Sequence, residues 1–315
     1  MISLRARLTR ALLRLRVRLR RRDAPISERR ARLDRLGGAI SGADGIDVDG
    51  EEVGGLYAEW LVPPGAPGDE VILYLHGGAY TAGSCASHRN AVSHIARAAG
   101  IRVFMPEYRL APEHPFPAAL EDGLAAYRWL LGRGVPARKV ILAGDSAGGG
   151  LALAVMVAAR DEGLPLPGAA SLISAWTDLA ATGGSLKSRN DKDPWFDADE
   201  VAPMARNYHQ DTDPRHPLVS PLYASLEGLP PLMLEVGDHE VLLDDSTRLA
   251  EKAREAGVDV TLRVWPGMWH VWHFFVGRMP EAKQAILEMA AFLEARMAVA
   301  RRAAPGDSQL NSELS

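Results

Sequence analysis

Short apolar runs alternate with longer amphipathic stretches over most of the chain after residue 57. The runs are rich in β-branched and aliphatic residues, and the stretches between them repeat their apolar positions at helical spacing. The pattern predicts strands at 57–62, 71–76, 103–106, 139–144, 169–175, 232–237 and 260–265, and helices at 117–131, 148–161, 246–256 and 281–301. Because such alternation is typical of βα units, we predict an α/β fold with a mostly parallel twisted sheet flanked by helices.

The N-terminal segment has leucines at helical spacing among arginines, at Leu4, Leu8, Leu12, Leu15 and Leu19. This spacing predicts a helix with one apolar face. Such a helix either lies on an anionic membrane surface or packs its apolar face on the body of the protein, with its arginines in solvent. We favour packing on the body, because the spacing shows only that one face of the helix is apolar and is stabilised by burial.

Residues 177–221 interrupt the alternation of strands and helices. They are rich in Asp, Pro, His and aromatic residues, and the segment is too long for a bare connection in a compact domain. We predict an N-terminal helical segment at 1–40, one domain at 41–303 that carries this insertion, and a disordered tail at 304–315.

The overall composition is that of a globular protein, with 47% hydrophobic and 24% charged residues. A single cysteine excludes an intrachain disulfide framework. The longest apolar run, residues 148–159, is well short of the ~20 residues that a membrane helix needs. We therefore expect a soluble, cytoplasmic protein.

The charge distribution argues against a nucleic-acid partner. The first 36 residues hold 13 Arg and 3 acidic residues, a net charge of +10, so the remainder carries −14 of the total of −4. A body with that negative charge repels phosphate, and only the N-terminus favours anions.

The sequence Gly144-Asp145-Ser146-Ala147-Gly148 places a serine between a predicted strand and a predicted helix, in a G-x-S-x-G pattern. Such a tight turn exposes the serine hydroxyl above the sheet, and the flanking glycines allow the bend. We predict that Ser146 is a nucleophile and that the Ala147 N–H binds a developing oxyanion. The alternative is a phosphate-binding turn, but the Walker lysine and the G-x-G-x-x-G spacing are missing.

A second motif, His76-Gly77-Gly78-Ala79, lies at the end of the predicted strand 71–76. The N–H groups of Gly77 and Gly78 carry no shielding side chains, so we predict that they bind the oxyanion. We expect His76 to orient the loop rather than to transfer protons, because it precedes the serine in the chain.

A serine nucleophile needs a histidine to take its proton and a carboxylate to hold that histidine. Five histidines follow the serine in the chain: His209, His216, His239, His270 and His273. We predict His270 as the base, because it follows the last predicted strand across a loop that returns over the carboxyl edge of the sheet. His273 is predicted to be a packed or surface residue.

Three carboxylates follow the predicted strand 232–237, namely Asp238, Glu240 and Asp244. The residues alone leave the choice among them open. A metal site with His239 is disfavoured, because no cysteine or second spaced histidine accompanies it, and we predict no metal or cofactor.

These motifs, together with the segment Tyr-Arg-Leu-Ala-Pro-Glu-His-Pro-Phe-Pro-Ala at 108–118, resemble the hormone-sensitive-lipase-like family of α/β-hydrolases over about residues 55–295. The resemblance implies the α/β-hydrolase fold and a carboxylesterase that acts on short- to medium-chain acyl esters without a cofactor. It also implies a helical cap, built from the N-terminus and residues 177–221, and a homodimer through an exposed edge strand.

The acid motif of this family, Asp-Pro-Leu-x-Asp, aligns with Glu-Val-Leu-Leu-Asp at residues 240–244. The resemblance therefore implies Glu240 as the triad acid. The first two positions depart from the motif, so Asp238 remains the alternative. Ala79 stands where the family commonly has a third glycine, and its methyl group is expected to narrow the alcohol side of the pocket.

The sequence thus predicts a carboxylesterase in which Ser146, His270 and Glu240 act through an acyl-enzyme on a small ester. An amidase or lactonase with the same triad and a non-catalytic receptor of the same fold are the alternatives. Several large side chains near the predicted loops either line an acyl pocket or pack the cap. They are Tyr80, Trp195, Phe196, Met204 and Trp269.

Overall fold

The computed structural model describes residues 2–18 and 24–302. The predicted helical position Leu19 and the predicted tail 304–315 lie outside the described residues. The helices are α1 (Leu4–Arg18), α2 (Ile26–Gly38), α3 (Cys85–Ala99), α4 (Ala118–Gly132), α5 (Ala147–Asp161), α6 (Ser185–Ser188), α7 (Ala198–His209), α8 (Leu243–Glu255) and α9 (Pro280–Arg302). The strands are β1 (Asp47–Val53), β2 (Leu56–Val62), β3 (Val71–Leu75), β4 (Arg102–Pro106), β5 (Val140–Asp145), β6 (Ala169–Ile173), β7 (Leu232–Gly237) and β8 (Val260–Trp265).

The strands form one sheet in the order β1-β2-β4-β3-β5-β6-β7-β8. β2 pairs antiparallel with both β1 and β4, and all other neighbouring strands are parallel. The predicted α/β fold with a mostly parallel sheet is therefore confirmed.

Both faces of the sheet are covered. In β3, Val71, Leu73 and Leu75 pack into the larger apolar core with α4, α5 and α8, whereas Ile72 and Tyr74 pack into a second core with α3 and α9. Every residue of β3, β5, β6 and β7 is buried. This double burial explains why the central strands read as continuous apolar runs rather than as alternating patterns.

Two elements were not expected from the apolar pattern. β1 has four acidic residues among its seven and lies at the edge of the sheet, where most of its side chains are exposed. α3 buries polar side chains, including Ser87, His88 and Ser93. Its serine N-cap, Ser84, accepts the N–H of Ser87, and Gly100 ends the helix in the left-handed conformation at φ 66°.

The parallel strands β5 to β8 end at one edge of the sheet, and the loops that follow them meet there. These loops carry Ser146, Ser174, Glu240 and His270. Between β6 and β7, residues 177–221 contain α6 and α7. Among the described residues, no helix combines the length and the apolar character needed to cross a bilayer.

Candidate active site

Ser146 occupies a strained turn between β5 and α5, with φ 53° and ψ −123°. The turn is tight because the chain passes close to the end of β3. A Cβ atom on Gly148 would lie 2.0 Å from the carbonyl oxygen of Leu75, and one on Gly144 would lie 2.5 Å from it. Both flanking positions therefore need glycine, and the turn holds Ser146 itself in a strained conformation.

His270 lies beside this serine, on the loop that follows β8. Its Nε2 atom is 2.9 Å from Oγ of Ser146, and its Nδ1 atom is 3.1 Å from Oε2 of Glu240. A carboxylate only accepts hydrogen bonds, so Nδ1 carries the proton and Nε2 is left to accept from the serine hydroxyl. His270 and Glu240 are both buried.

Glu240 is held in place by its second carboxylate oxygen. Oε1 accepts the N–H of Gly237 at 2.6 Å and the hydroxyl of Ser174 at 2.7 Å. The Ser174 Oγ atom also accepts the N–H of Val271, next to His270, at 3.2 Å. Ser174 thus joins the acid to the histidine loop. Sequence reasoning missed this residue, and the only signal for it was a polar residue just past a buried strand.

The two other candidate acids contact loops rather than His270. Asp238 is 39% exposed, and its Oδ1 atom accepts the N–H of Gly267 at 2.5 Å. Asp244 accepts the N–H of Ser185 at 2.9 Å. Of the three carboxylates, Glu240 is the one in contact with the histidine.

The loop at 76–79 differs from expectation at one N–H group. We expected Gly77 and Gly78 to bind an oxyanion, but the Gly77 N–H donates to Oδ1 of Asp145 at 3.0 Å. Asp145 also fills the space beside the Gly77 Cα atom, because a Cβ atom on Gly77 would lie 2.1 Å from Oδ2 of Asp145. Within the described residues, the N–H groups of Gly78, Ala79 and Ala147 have no acceptor.

Asp145 is fully buried behind this loop. Besides Gly77, it accepts the hydroxyl of Tyr74 at 2.8 Å and lies 3.4 Å from Nε2 of His88. Burial by itself raises the pKa of Asp145, but His88 and the hydrogen bonds outweigh burial and lower the pKa below its usual value. The carboxylate is therefore ionised at neutral pH and accepts the loop N–H strongly.

His76 is part of the framework of the same loop. Burial, with a contribution from His88, lowers the pKa of His76 to about 3, so its ring is neutral. The ring stacks on Tyr108 with centroids 4.2 Å apart, and the Tyr108 hydroxyl donates to the His76 carbonyl oxygen at 2.6 Å. His76 Nδ1 lies 2.9 Å from the Gly77 carbonyl oxygen. None of these contacts joins His76 to Ser146.

A narrow cavity opens above Ser146. It is lined by Ala79, Ser146, Trp176, Phe196, Val201, Met204 and Leu242. Phe196 also packs edge-on against the ring of His270, with centroids 4.7 Å apart. The walls are thus almost entirely apolar, and the serine hydroxyl is their main polar group.

The other three side chains expected at the pocket lie elsewhere. Trp269 is fully buried in a separate cluster with Ala6 of α1, so it cannot line the cavity. Tyr80 is buried and stacks on Tyr208 with centroids 3.7 Å apart. Trp195 is half-buried and is not among the lining residues. Phe196 and Met204 are the two of the five that face the cavity.

Asp193 was not identified from the sequence, yet it links the insertion to the acid loop. Its Oδ1 atom accepts the N–H groups of Trp195 and Phe196, and its Oδ2 atom accepts the N–H of Val241 at 3.0 Å. Burial raises the pKa of Asp193 to about 6, although the nearby His270 acts in the opposite direction. This carboxylate fixes the backbone beside Phe196 to the backbone beside Glu240.

Metal chemistry has no structural support in the described part of the chain. No group of three or more His, Cys, Asp or Glu side chains there is placed to hold a metal ion. The side chains that meet at the carboxyl edge are a serine, a histidine and a glutamate in hydrogen-bond contact, with N–H groups beside the serine. Such a set has the chemistry of a nucleophile, a base and an acid.

Comparison with known proteins gives the family. A family model described as the alpha/beta hydrolase fold matches residues 72–274, and the chain belongs to this family. An esterase of the bacterial hormone-sensitive lipase family has a crystal structure with a TM-score of 0.91 and 44% identity, over 94% of this chain and 99% of that one. The chain is a member of this hormone-sensitive-lipase-like group, as its motifs indicated.

Two further relatives agree on the class of enzyme. An acetyl-hydrolase of Streptomyces hygroscopicus is 46% identical over 272 residues, which cover 86% of this chain and 91% of the relative. The esterase EstE5, in a crystal soaked with p-nitrophenyl butyrate, has a TM-score of 0.89 at 44% identity, over 94% and 99% of the two chains. The predicted class, a carboxylic ester hydrolase, is confirmed.

Proposed function

We propose that the protein hydrolyses short-chain carboxylic esters through an acyl-enzyme on Ser146. The observation that carries this proposal is the continuous contact from Ser146 Oγ through His270 to Glu240, with distances of 2.9 and 3.1 Å. A serine hydroxyl is a weak nucleophile at neutral pH, and this arrangement gives it a base whose tautomer is already fixed.

In the first step, Ser146 Oγ bonds to the ester carbonyl carbon while its proton moves to Nε2 of His270. Glu240 stabilises the imidazolium that forms. The tetrahedral intermediate then breaks its bond to the alcohol oxygen, which takes the proton from Nε2. Water then attacks the acyl carbon while its proton moves to the same nitrogen. The second tetrahedral intermediate breaks its bond to Ser146 Oγ, which takes the proton from Nε2, and the carboxylic acid is released.

The oxyanion of each intermediate is proposed to bind the N–H groups of Gly78, Ala79 and Ala147. The contact between Gly77 N–H and Asp145 removes Gly77 from this set, since an N–H held at 3.0 Å by a carboxylate is not available to substrate. Ala147 is the first residue of α5, where the helix dipole adds to the attraction for negative charge.

The small cavity supports a preference for short acyl chains. Phe196, Met204 and Leu242 close the cavity above Ser146 with apolar surface, and the narrow space between them leaves room for few methylene groups. The name of the Streptomyces relative, acetyl-hydrolase, and the p-nitrophenyl butyrate soaked into the EstE5 crystal agree with this size class.

The cap is proposed to consist of the insertion together with the N-terminal helices. Phe196, Val201 and Met204, which come from residues 177–221, line the cavity. Arg29 of α2 reaches the sulfur of Met204 at 3.4 Å, so the N-terminal segment contacts the insertion where it faces the cavity. The boundaries 1–40 and 177–221 remain predictions.

The test is hydrolysis of p-nitrophenyl acetate, butyrate and octanoate by the wild type, Ser146→Ala and Ser225→Ala. Ser225 is an exposed serine outside the site and serves as the matched control. We expect Ser146→Ala to lower kcat by about 10³-fold or more, and Ser225→Ala to leave it unchanged. We also expect acetate and butyrate to be preferred over octanoate.

Three results would contradict the proposal. Equal rates for the wild type and Ser146→Ala would exclude a serine acyl-enzyme. Saturable binding of the ester with no release of p-nitrophenol, neither in a burst nor in steady state, would identify a receptor instead of an enzyme. A higher kcat/KM for p-nitroanilides or lactones than for the matched esters would move the substrate class to amides or cyclic esters.

A further inference from the structure

The outer face of α1 is an exposed apolar stripe. Leu4, Leu8, Leu12 and Leu15 are 70%, 57%, 62% and 55% exposed. At about 100° of rotation per residue, all four fall within one narrow sector of the helix. We expected this leucine face to pack on the body of the protein, and that expectation is wrong. A contiguous apolar patch of this kind on a surface is a common mark of an interaction site.

The opposite face of α1 is the one that holds the helix on the body. Ala6 is fully buried against Trp269 and Trp272, and Leu13 packs on the same cluster. The backbone N–H and the hydroxyl of Ser3 both donate to Glu281 of α9, at 2.6 and 2.9 Å. Because α1 is already anchored by this inner face, its leucine face is presented to solvent in a fixed orientation.

Arginines flank the leucine stripe. α1 contains six arginines and no acidic residue. Arg5, Arg7 and Arg16 are exposed, and none of them pairs with a carboxylate within residues 2–18 and 24–302. On the helical wheel, Arg5 and Arg16 lie at one border of the stripe and Arg7 at the other. An apolar stripe between two cationic borders complements acyl chains that lie beneath anionic headgroups.

α1 is also joined to the elements of the candidate active site. Arg10 Nη1 lies 2.7 Å from Nδ1 of His239, the neighbour of Glu240. Arg14 Nη2 donates to the carbonyl oxygen of Asp191 at 2.6 Å, two residues before Asp193. The leucine stripe therefore lies on the same part of the molecule as the insertion that covers the cavity.

We propose that the outer face of α1 docks on an anionic lipid surface, with the helix axis in the plane of the interface. The four leucines enter the boundary between headgroups and acyl chains, and the flanking arginines contact lipid phosphates. With 15 residues, α1 is too short to cross the ~30 Å hydrocarbon layer, so the contact is peripheral. A second copy of this chain is a poor occupant, because pairing two such faces brings arginine rows together.

Lipid binding by α1 would not depend on the catalytic activity proposed for Ser146. The experiment is co-sedimentation of the full-length protein with phosphatidylcholine vesicles that contain either no phosphatidylglycerol or 30% of it. The variants are Leu8→Gln/Leu12→Gln, Arg5→Gln/Arg7→Gln/Arg16→Gln, and the control Leu287→Gln/Val299→Gln. The control pair lies on the outer face of α9 and is 47% and 63% exposed. Hydrolysis of p-nitrophenyl butyrate without vesicles reports separately on the catalytic site.

We expect the wild type and the α9 control to bind the anionic vesicles, and added salt to weaken that binding. Both α1 variants should bind at least about tenfold more weakly while hydrolysing p-nitrophenyl butyrate at wild-type rates. The inference is overturned if the wild type does not bind anionic vesicles, or if the α1 variants bind them with the same affinity as the wild type. A wild-type dimer that Leu8→Gln/Leu12→Gln dissociates, without any vesicle binding, would assign the face to a second copy.

Discussion

The Asp145 carboxylate and the Gly77 N–H are joined by a 3.0 Å hydrogen bond at the base of the loop 76–79. Asp145 precedes the proposed nucleophile, Ser146, in the chain, and Gly77 precedes the proposed oxyanion donors Gly78 and Ala79. One buried carboxylate therefore fixes the turn that bears Ser146 relative to the loop that bears Gly78 and Ala79. A substitution that breaks this bond should move the N–H groups of Gly78 and Ala79 relative to Ser146, although none of these three residues is itself changed.

Removing this carboxylate should slow catalysis. Asp145→Ala leaves the Gly77 N–H and the Tyr74 hydroxyl without their acceptor inside the protein, so the loop must shift to find another. Because loss of an oxyanion donor costs about 2.7–4 kcal/mol of transition-state stabilisation, we expect kcat on p-nitrophenyl butyrate to fall by about 10²-fold. The change in KM should be much smaller.

Asp145→Asn is the matched variant, since its amide oxygen still accepts from Gly77. Its loss in kcat should be clearly smaller than that of Asp145→Ala, with both proteins shown to be folded by circular dichroism. Wild-type kcat in folded Asp145→Ala would show that the loop keeps its place without the carboxylate.

The choice between Glu240 and Asp238 can be tested by matched amides. Glu240→Gln removes the negative charge that stabilises the imidazolium. It also puts an amide group where the wild-type carboxylate accepts a hydrogen bond from His270 Nδ1. We expect kcat to fall by about 10³- to 10⁴-fold. Asp238→Asn loses only part of a contact with Gly267 and should stay within about tenfold of the wild type.

Steady-state kinetics on p-nitrophenyl butyrate give both values. A larger loss for Asp238→Asn than for Glu240→Gln would reverse the assignment. Glu240→Asp should recover part of the lost activity if the negative charge, rather than the length of the side chain, is what His270 requires.

The sequence was a good guide wherever burial or a local turn decides the structure. The strand 232–237 was predicted at the bounds observed for β7, because an apolar run that is covered on both faces of the sheet leaves a clear signal. The strand 260–265 also has the bounds predicted for it, although β8 lies at the edge of the sheet and has no buried residue. The turn at Ser146 was also readable, since its glycines follow from the close approach of Leu75.

What the sequence could not provide depends on contacts between distant residues. The Gly77 N–H is taken by a carboxylate 68 positions away, and a glycine pattern cannot show that an N–H is already bonded. Ser174 and Asp193 have no motif, and their roles arise from hydrogen bonds to Glu240 and Val241. For α1, the leucine period identified an apolar face but not whether that face meets the protein or the solvent.

The Ala79 methyl group offers a test of pocket shape. Ala79 has φ 56°, a conformation that favours glycine, and its side chain lines the cavity above Ser146. Ala79→Gly should keep the position of the backbone N–H while opening that wall. We expect kcat/KM for tert-butyl acetate relative to ethyl acetate to rise several-fold, measured by titration of the released acid. An unchanged ratio would mean that other walls limit the alcohol group.

Asp193 should make the stability of the protein depend on pH. Burial raises the pKa of this carboxyl from 3.8 to about 6 in the folded protein. Between these values the unfolded chain has already released its proton while the folded chain still holds it, so rising pH favours unfolding. The stability that this group contributes below pH 3.8 is therefore lost as the pH approaches 6. The loss amounts to roughly 2–3 kcal/mol at about 1.4 kcal/mol per pH unit.

Asp193→Asn cannot titrate, and its amide nitrogen faces the Val241 N–H in place of an acceptor. We expect the variant to be less stable than the wild type, with the gap in Tm largest near pH 4 and narrowing up to about pH 6. Above that pH the two curves should run parallel, because Asp193 is then ionised in both the folded and the unfolded wild type. Asp191→Asn, at an exposed position two residues earlier, is the control and should follow the wild-type curve. Thermal melts at half-unit steps from pH 4 to 8 give all three curves. A difference in Tm between the wild type and Asp193→Asn that stays constant across pH 4–6 would contradict the titration of Asp193.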